Sequence, residues 1–178
     1  MARIDLLDPS EMATDKRRVY EAFPSNLIRG LLTTNPEIAE GYLRLSMSFA
    51  RSSLDPALRE LAILRVGTLT GCDYAWLQHV GRARDAGASE QQISAAKTGN
   101  YATLDKLSSA ALGYVDECVA NFRVPQKTFD VARTALGDEN LVTLTLLVGH
   151  YMATTRFIEN FDIDLDDKPS VLGSASNS

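Results

Sequence analysis

Cysteine, histidine and tryptophan are scarce in this chain: two Cys, two His and one Trp in 178 residues. Cys72 and Cys118 are the whole supply of thiols. That excludes a framework of several disulfides, and two cysteines in a chain of this size are expected to remain thiols. His79 and His150 lie far apart in sequence, and no His-x3-His, Cys-x2-Cys or His/carboxylate cluster occurs. No metal centre is therefore expected, and no cofactor signature is visible. Basic charge is also in deficit: 18 Lys and Arg against 23 Asp and Glu leave a net charge of −5. Without a Lys/Arg cluster to neutralise phosphates, nucleic acid is not an expected partner.

The most apolar run, Leu141 to Met152, holds Thr143, Thr145 and His150 and falls short of the ~20 residues that span a bilayer. No membrane role is expected from it, and a buried helix is. The first residues, MARIDLLDPSEM, carry acids where a secretory signal would carry a basic and then an apolar stretch, so the expectation is a cytoplasmic protein. The alternating Val/Ile/Thr runs of strands are missing as well, which leaves an all-α fold. A hydrophobic content of 45% with 23% charged residues suits one globular domain.

What is present is a succession of helix signals. Asn35-Pro36 and Asp55-Pro56 each read as an N-cap followed by proline in the first turn. The first opens a helix to Arg51 with Ile38, Tyr42, Leu45 and Phe49 on one stripe. The second opens a helix carrying Glu60 that stops at Gly71. A further helix from Cys72 or Asp73 to Ala86 precedes Gly87, and Ser89-Glu90-Gln91-Gln92 forms a capping box for a short one. Leu104, Leu107, Ala111, Val115, Cys118 and Phe122 make an amphipathic stripe before Pro125. Gly137-Asp138 separates the last two helices. The final one, Glu139 to Phe161, is apolar over most of its circumference and is expected in the middle of a bundle or at a subunit interface. Residues 1–34 read as an arm with short helices, 35–161 as a single helical domain, and 162–178 as an acidic, then Ser-rich tail that is expected to be disordered.

Chemistry concentrates in Glu60–His79, which holds a carboxylate, a thiol and an imidazole within one stretch. These side chains move protons or attack electrophiles near neutral pH. His79 lies two helical turns after Cys72, so both leave from nearly the same face, and a thiol at a helix start feels the positive end of the macrodipole. Each residue also has a plain structural explanation. Cys72 and Cys118 suit small buried hydrophobes, Glu60 suits a first helical turn, Tyr74 and Trp76 suit packing with a polar tip, and His150 suits a hydrogen-bonded core position. Periodicity alone does not place Glu60 relative to His79.

Arg59-Glu60-Leu61-Ala62-Ile63-Leu64-Arg65, Gly71-Cys72-Asp73-Tyr74-Ala75-Trp76-Leu77-Gln78-His79 and Gly87-Ala88-Ser89 resemble the carboxymuconolactone decarboxylase family. That superfamily also holds the alkylhydroperoxidase D proteins. The resemblance extends more loosely to Val148-Gly149-His150-Tyr151 and Arg156-Phe157. It implies an all-α bundle of about six to eight helices, assembled as a homo-oligomer (dimer, trimer or hexamer), acting on a small molecule. The peroxidase branch has Cys-x2-Cys-x3-His after a glutamate, which maps onto Glu60, Cys72, position 75 and His79. Many decarboxylase-like members have Tyr-Glu-Trp-x-x-His instead, of which Tyr74, Trp76 and His79 are kept. Position 75 is Ala here and departs from both patterns, so an intramolecular dithiol cycle at this motif is excluded. The resemblance implies a lyase-like enzyme with His79 as general acid/base, Glu60 orienting it, Cys72 assisting, and Tyr74, Trp76 and His150 lining the pocket. The alternatives are a thiol-dependent hydroperoxidase with peroxiredoxin activity through Cys72, and a noncatalytic binding oligomer.

Overall fold

The computed structural model describes residues 1–166. Among these residues there are eight α-helices and one short 3-10 turn, and no strand. The helices are α1 (Thr14–Ala22), α2 (Asn26–Leu31), α3 (Pro36–Phe49), α4 (Pro56–Leu69), α5 (Asp73–Asp85), α6 (Glu90–Thr98), α7 (Lys106–Ala120) and α8 (Gln126–Asn160). The chain divides into two compact units, one made of Met1–Met47 with the segment from Ile158 onward, the other of Ser48–Phe157.

In the first unit the chain's two ends are tied together. Arg3 donates from its backbone N–H to the Phe161 carbonyl at 2.8 Å and pairs through Nε with Asp162 at 2.7 Å. The Asn26 amide donates to Asp166 Oδ1 at 2.6 Å. Residues 162–166 are therefore held by the N-terminal segment. The rest of the expected disordered tail, 167–178, lies outside the described residues. In α3 the buried positions are Ala39, Leu43 and Phe49, while Ile38 and Leu45 are exposed. Of the expected stripe of Ile38, Tyr42, Leu45 and Phe49, only Phe49 is fully buried; the small Ala39 and Leu43 mark the packed face.

The second unit is built around α4. Asp55 caps it by accepting from the Leu58 amide at 2.8 Å, and Pro56 occupies the first turn. Every residue from Glu60 to Gly67 is buried, because α5, α6 and α7 all pack on this helix. α4 is therefore a central helix of this unit, and the last helix, expected in the middle of the bundle or at a subunit interface, packs one face on it. α8 gives Leu141, Leu144, Leu147 and Val148 to a core shared with Leu58, Ala62, Ile63, Val66, Ala111 and Val115, and leaves Val131, Val142 and Leu146 exposed. A fully buried leucine contributes ~2–3 kcal/mol by leaving water. By length and composition α8 would reach across a membrane. Its buried face nonetheless packs as a core helix does, and Gly137, at φ 75° and ψ 168°, breaks its helical path. The α7 stripe is shorter than expected: Ala111 and Val115 are buried, Leu107 is exposed, and Phe122 lies beyond the helix end, fully exposed.

Two glycines set the geometry that matters for function. Gly71 has φ 69°, a conformation costly for residues with a Cβ, and it turns the chain from α4 into α5. Four residues earlier, a Cβ on Gly67 would lie 3.2 Å from the Ala75 Cβ and 3.5 Å from the Cys72 carbonyl oxygen. The helices cross here with two small residues in contact. This is a physical account of the alanine at position 75, which is itself buried.

Candidate active site

The α4–Gly71–α5 hairpin brings two of the sequence's candidates into direct contact. Glu60 is the fifth residue of α4, past the first turn, so the helix dipole is not what it serves. Its carboxylate points into the protein and lies 2.7 Å, through Oε2, from His79 Nδ1. Both side chains are almost wholly buried, at 6% and 8% exposure. The other carboxylate oxygen, Oε1, accepts from Arg59 Nη2 at 3.1 Å and Nε at 3.2 Å. Neighbours in a helix do not ordinarily face one another, so spacing gave no hint of the Arg59 contact.

The charges follow from these contacts. Burial works to raise the Glu60 pKa, but the hydrogen bond and charge of His79, with Arg59 beside them, outweigh it and hold the carboxyl below its usual range. Burial pushes the His79 pKa down, the attraction of Glu60 opposes this, and Arg82 and Arg59 add repulsion; the net direction is down. At neutral pH the pair is therefore a carboxylate and a neutral imidazole. A carboxylate can only accept, so the proton sits on Nδ1 and the lone pair on Nε2.

Nε2 faces a residue that the sequence reading passed over. The Tyr151 hydroxyl lies 3.4 Å from it, and the two rings meet edge to face with centroids 5.2 Å apart. Tyr151 belongs to the Val148–Tyr151 stretch, where the sequence marks its neighbour His150 as the candidate. His150 stands one ring further away: it packs at 5.4 Å against Tyr151 and at 5.6 Å against Phe49. Burial lowers its pKa to about 4, so it is neutral at physiological pH. One helical step, roughly 100°, separates the two residues' directions, and a sequence alone does not give the phase.

Cys72, Tyr74 and Trp76 lie at the start of α5, the helix that also carries His79. Cys72 is buried and is the N-cap residue of α5, in extended conformation. Tyr74 is buried. Trp76 packs with Ala57, Val80, Leu61 and Ile93 in a second core cluster, and the Lys97 ammonium lies 4.4 Å from its ring centre. Cys72 and Cys118 are not joined in a disulfide. Burial raises the Cys118 pKa, keeping that thiol protonated. Among the described residues no group of three His, Cys, Asp or Glu side chains could hold a metal ion.

Comparison with known proteins bears on this arrangement. Residues 36–117 match the carboxymuconolactone decarboxylase family. No curated protein matches the chain significantly. Among solved structures, one is a protein of unknown function from Agrobacterium tumefaciens, suggested to be an antioxidant-defence AhpD protein. It is 25% identical, with a TM-score of 0.69 over 75% of this chain and 94% of its own. An uncharacterized peroxidase-related protein from Ralstonia eutropha JMP134, with the alkylhydroperoxidase AhpD core, is 15% identical; its TM-score is 0.78 over 93% of both chains. The debrominase Bmp8, as a cysteine-to-alanine variant in complex with 2,3,4-tribromopyrrole, is 15% identical with a TM-score of 0.76, over 95% of this chain and 96% of that one. The last two likenesses concern the fold, which is all-helical and AhpD-like, as the sequence predicted. The motif around Glu60 and His79, the family match over residues 36–117 and the helical architecture agree: this stretch matches the carboxymuconolactone decarboxylase family, and the fold that carries it is AhpD-like.

Proposed function

We propose that the chain is a carboxymuconolactone decarboxylase-like enzyme that moves a proton through His79 on a small carbonyl, lactone or carboxylate substrate. The observation that carries this reading is the buried 2.7 Å contact between His79 Nδ1 and Glu60. Glu60 fixes the tautomer and orientation of the ring and stabilises the imidazolium that forms when Nε2 accepts a proton. A buried carboxylate plays this part for the base of a hydrolase triad. The charged ring then returns the proton to the substrate. In a decarboxylation, loss of carbon dioxide leaves an enolate, and the imidazolium supplies the proton that quenches it. Tyr151, at 3.4 Å from Nε2, shares the space where a substrate atom would meet the base. The proposal includes a cytoplasmic homo-oligomer, an assembly that the exposed Val142 and Leu146 of α8 support.

A second reading is favoured by Cys72 at the start of α5, where the helix dipole stabilises a thiolate. In it Cys72 attacks a hydroperoxide, an alcohol leaves, and the sulfenic acid is reduced by two external thiols, since Ala75 offers none. A noncatalytic oligomer is the reading that Glu60 and His79 turned apart would favour; they are hydrogen-bonded instead.

Three variants separate these readings, assayed on a panel of lactones and β-keto acids and on tert-butyl hydroperoxide with dithiothreitol. Under the acid/base reading His79→Ala abolishes turnover of the carbonyl panel, a loss of ~10²–10⁴-fold. Glu60→Gln is intermediate, and Cys72→Ser retains most activity. Peroxide consumption lost in Cys72→Ser but only slowed in His79→Ala would replace the acid/base reading with the thiol one.

A further inference from the structure

A cavity of about 520 Å³ opens in the second unit between the C-terminal end of α7, the loop that follows it, and α8. Its volume falls within the range of small-molecule sites, ~300–1,000 Å³. None of Glu60, Cys72, His79 and Tyr151 lines it. The reason is helical phase. Thr145, Val148, Gly149 and Met152 recur at i, i+3, i+4 and i+7 and form one wall, whereas Tyr151 leaves α8 in another direction, toward His79.

Three features of the lining specify a ligand. Much of the wall is apolar, formed by Met152, Phe129 and Val124 with the buried Val148 behind them. Arg123 is the one charged residue among those that line it, and among the described residues it has no ion-pair partner. Arg65, Arg84 and Arg133, by contrast, each sit on a carboxylate. The third feature is a polar pair in the wall. Thr145 Oγ1 donates to the Leu141 carbonyl at 2.7 Å, so the Tyr114 hydroxyl donates to Thr145 at 2.9 Å. Both hydroxyl protons are thereby used within the protein, and the amides of Asn121 and Gln126, which also line the space, each give one N–H to a neighbouring carboxylate, so Arg123 is the charged donor for an incoming anion. The acids closest along the chain are themselves engaged: Glu117 by Asn121 at 2.7 Å and Asp130 by Gln126 at 2.9 Å.

We propose that this cavity is a second binding site, separate from the Glu60–His79 pair, for a small hydrophobic monocarboxylate. Its apolar body lies against Met152, Phe129 and Val124, and its carboxylate pairs with Arg123. The proposal is independent of the reaction assigned to His79.

The test uses decanoate as ligand, 8-anilinonaphthalene-1-sulfonate as fluorescent reporter, and the full chain. The reporter is expected to bind saturably and to be displaced by decanoate. Arg123→Gln, a change at an exposed side chain, weakens decanoate binding ~10-fold or more, the scale of one charge-assisted hydrogen bond, and Arg123→Lys recovers part of it. Gly149→Leu removes binding by filling the space: a Cβ there meets no atom within 4 Å, and far-UV circular dichroism checks that the helices persist. Cys118 lines the same cavity, so saturating decanoate slows its alkylation by iodoacetamide, read on the Cys118 peptide by mass spectrometry. Decanoate binding unchanged by both Arg123→Gln and Gly149→Leu, or Cys118 left unprotected, overturns the proposal. Alkylation that slows with rising protein concentration, with no decanoate bound, overturns it in favour of a second copy covering the cavity.

Discussion

His150 makes the fold sensitive to acid by a calculable amount. Its ring is 8% exposed, packed against Phe49 and Tyr151, and burial brings its pKa from 6.5 to about 4. In the unfolded chain the same imidazole takes up a proton below ~6.5. Between these values the unfolded state binds more protons than the folded one, so stability falls as pH drops from ~6.5 to ~4 and this contribution flattens below. A separation of that size corresponds to about 3 kcal/mol for one group, a large share of the ~5–15 kcal/mol that holds a domain. His79 acts in the same sense, since its pKa is also lowered. Glu60 adds to the loss at lower pH, because its depressed carboxyl gives stability above its unfolded pKa that disappears on protonation. The assay is urea unfolding followed by far-UV circular dichroism at half-unit steps from pH 7.5 to 4, in the wild type and in His150→Phe. Phenylalanine keeps an aromatic ring between Phe49 and Tyr151 and has nothing to protonate. The variant should lose the part of the pH slope between 6.5 and 4 that His150 contributes and keep the part due to His79 and Glu60. An unchanged slope would refute the reasoning and mean that His150 is protonated in the folded state.

Gly67→Ala should destabilise the α4–α5 crossing by ~1–3 kcal/mol, because the new Cβ lies 3.2 Å from the Ala75 Cβ in a packed region; thermal unfolding reads it. Leu144→Ala should cost ~2–5 kcal/mol, since Leu144 is wholly buried in the main core, measured as a fall in the urea midpoint at constant m-value. Asp116→Ala removes the carboxylate that holds the buried Arg65 and accepts from the Tyr101 hydroxyl. A loss of ~2–3 kcal/mol is expected, and a cost below half a kilocalorie would mean that Arg65 finds another partner. Tyr151→Phe should leave the fold intact and lower turnover by His79, with wild-type rates on every substrate arguing that the hydroxyl takes no part.

Much of this architecture was legible in the residues. Asp55-Pro56, Gly71 and the Ser89 capping box mark boundaries through local hydrogen bonding and backbone sterics, and the structure puts helix ends at each of them. Failures came where the answer depends on partners distant in sequence. Ile38, Tyr42, Leu45 and Phe49 share a stripe, but a helix has more than one apolar face and only packing chooses which is buried: Phe49 is, Ile38 and Leu45 are not. The central place of α4, packed by three helices with Glu60 and Arg65 buried on it, was not visible in its composition. For the candidate site, the residue types and the stretch were visible in the sequence. The Glu60–His79 contact needed the turn at Gly71, and Tyr151 needed the rotational phase of a helix 72 residues away.

Glu60 and His79 are only 19 residues apart and both belong to one helical hairpin. Closing so short a loop costs little chain entropy, so the pair can form as soon as α4 and α5 meet, ahead of contacts that wait for α8. The hairpin is in this sense a portable cartridge: it carries the imidazole and its carboxylate, while α8 supplies the aromatic surface facing Nε2. Changes along α8 can then reshape what the base encounters without dismantling the base, a division of labour suited to a fold that can host more than one chemistry.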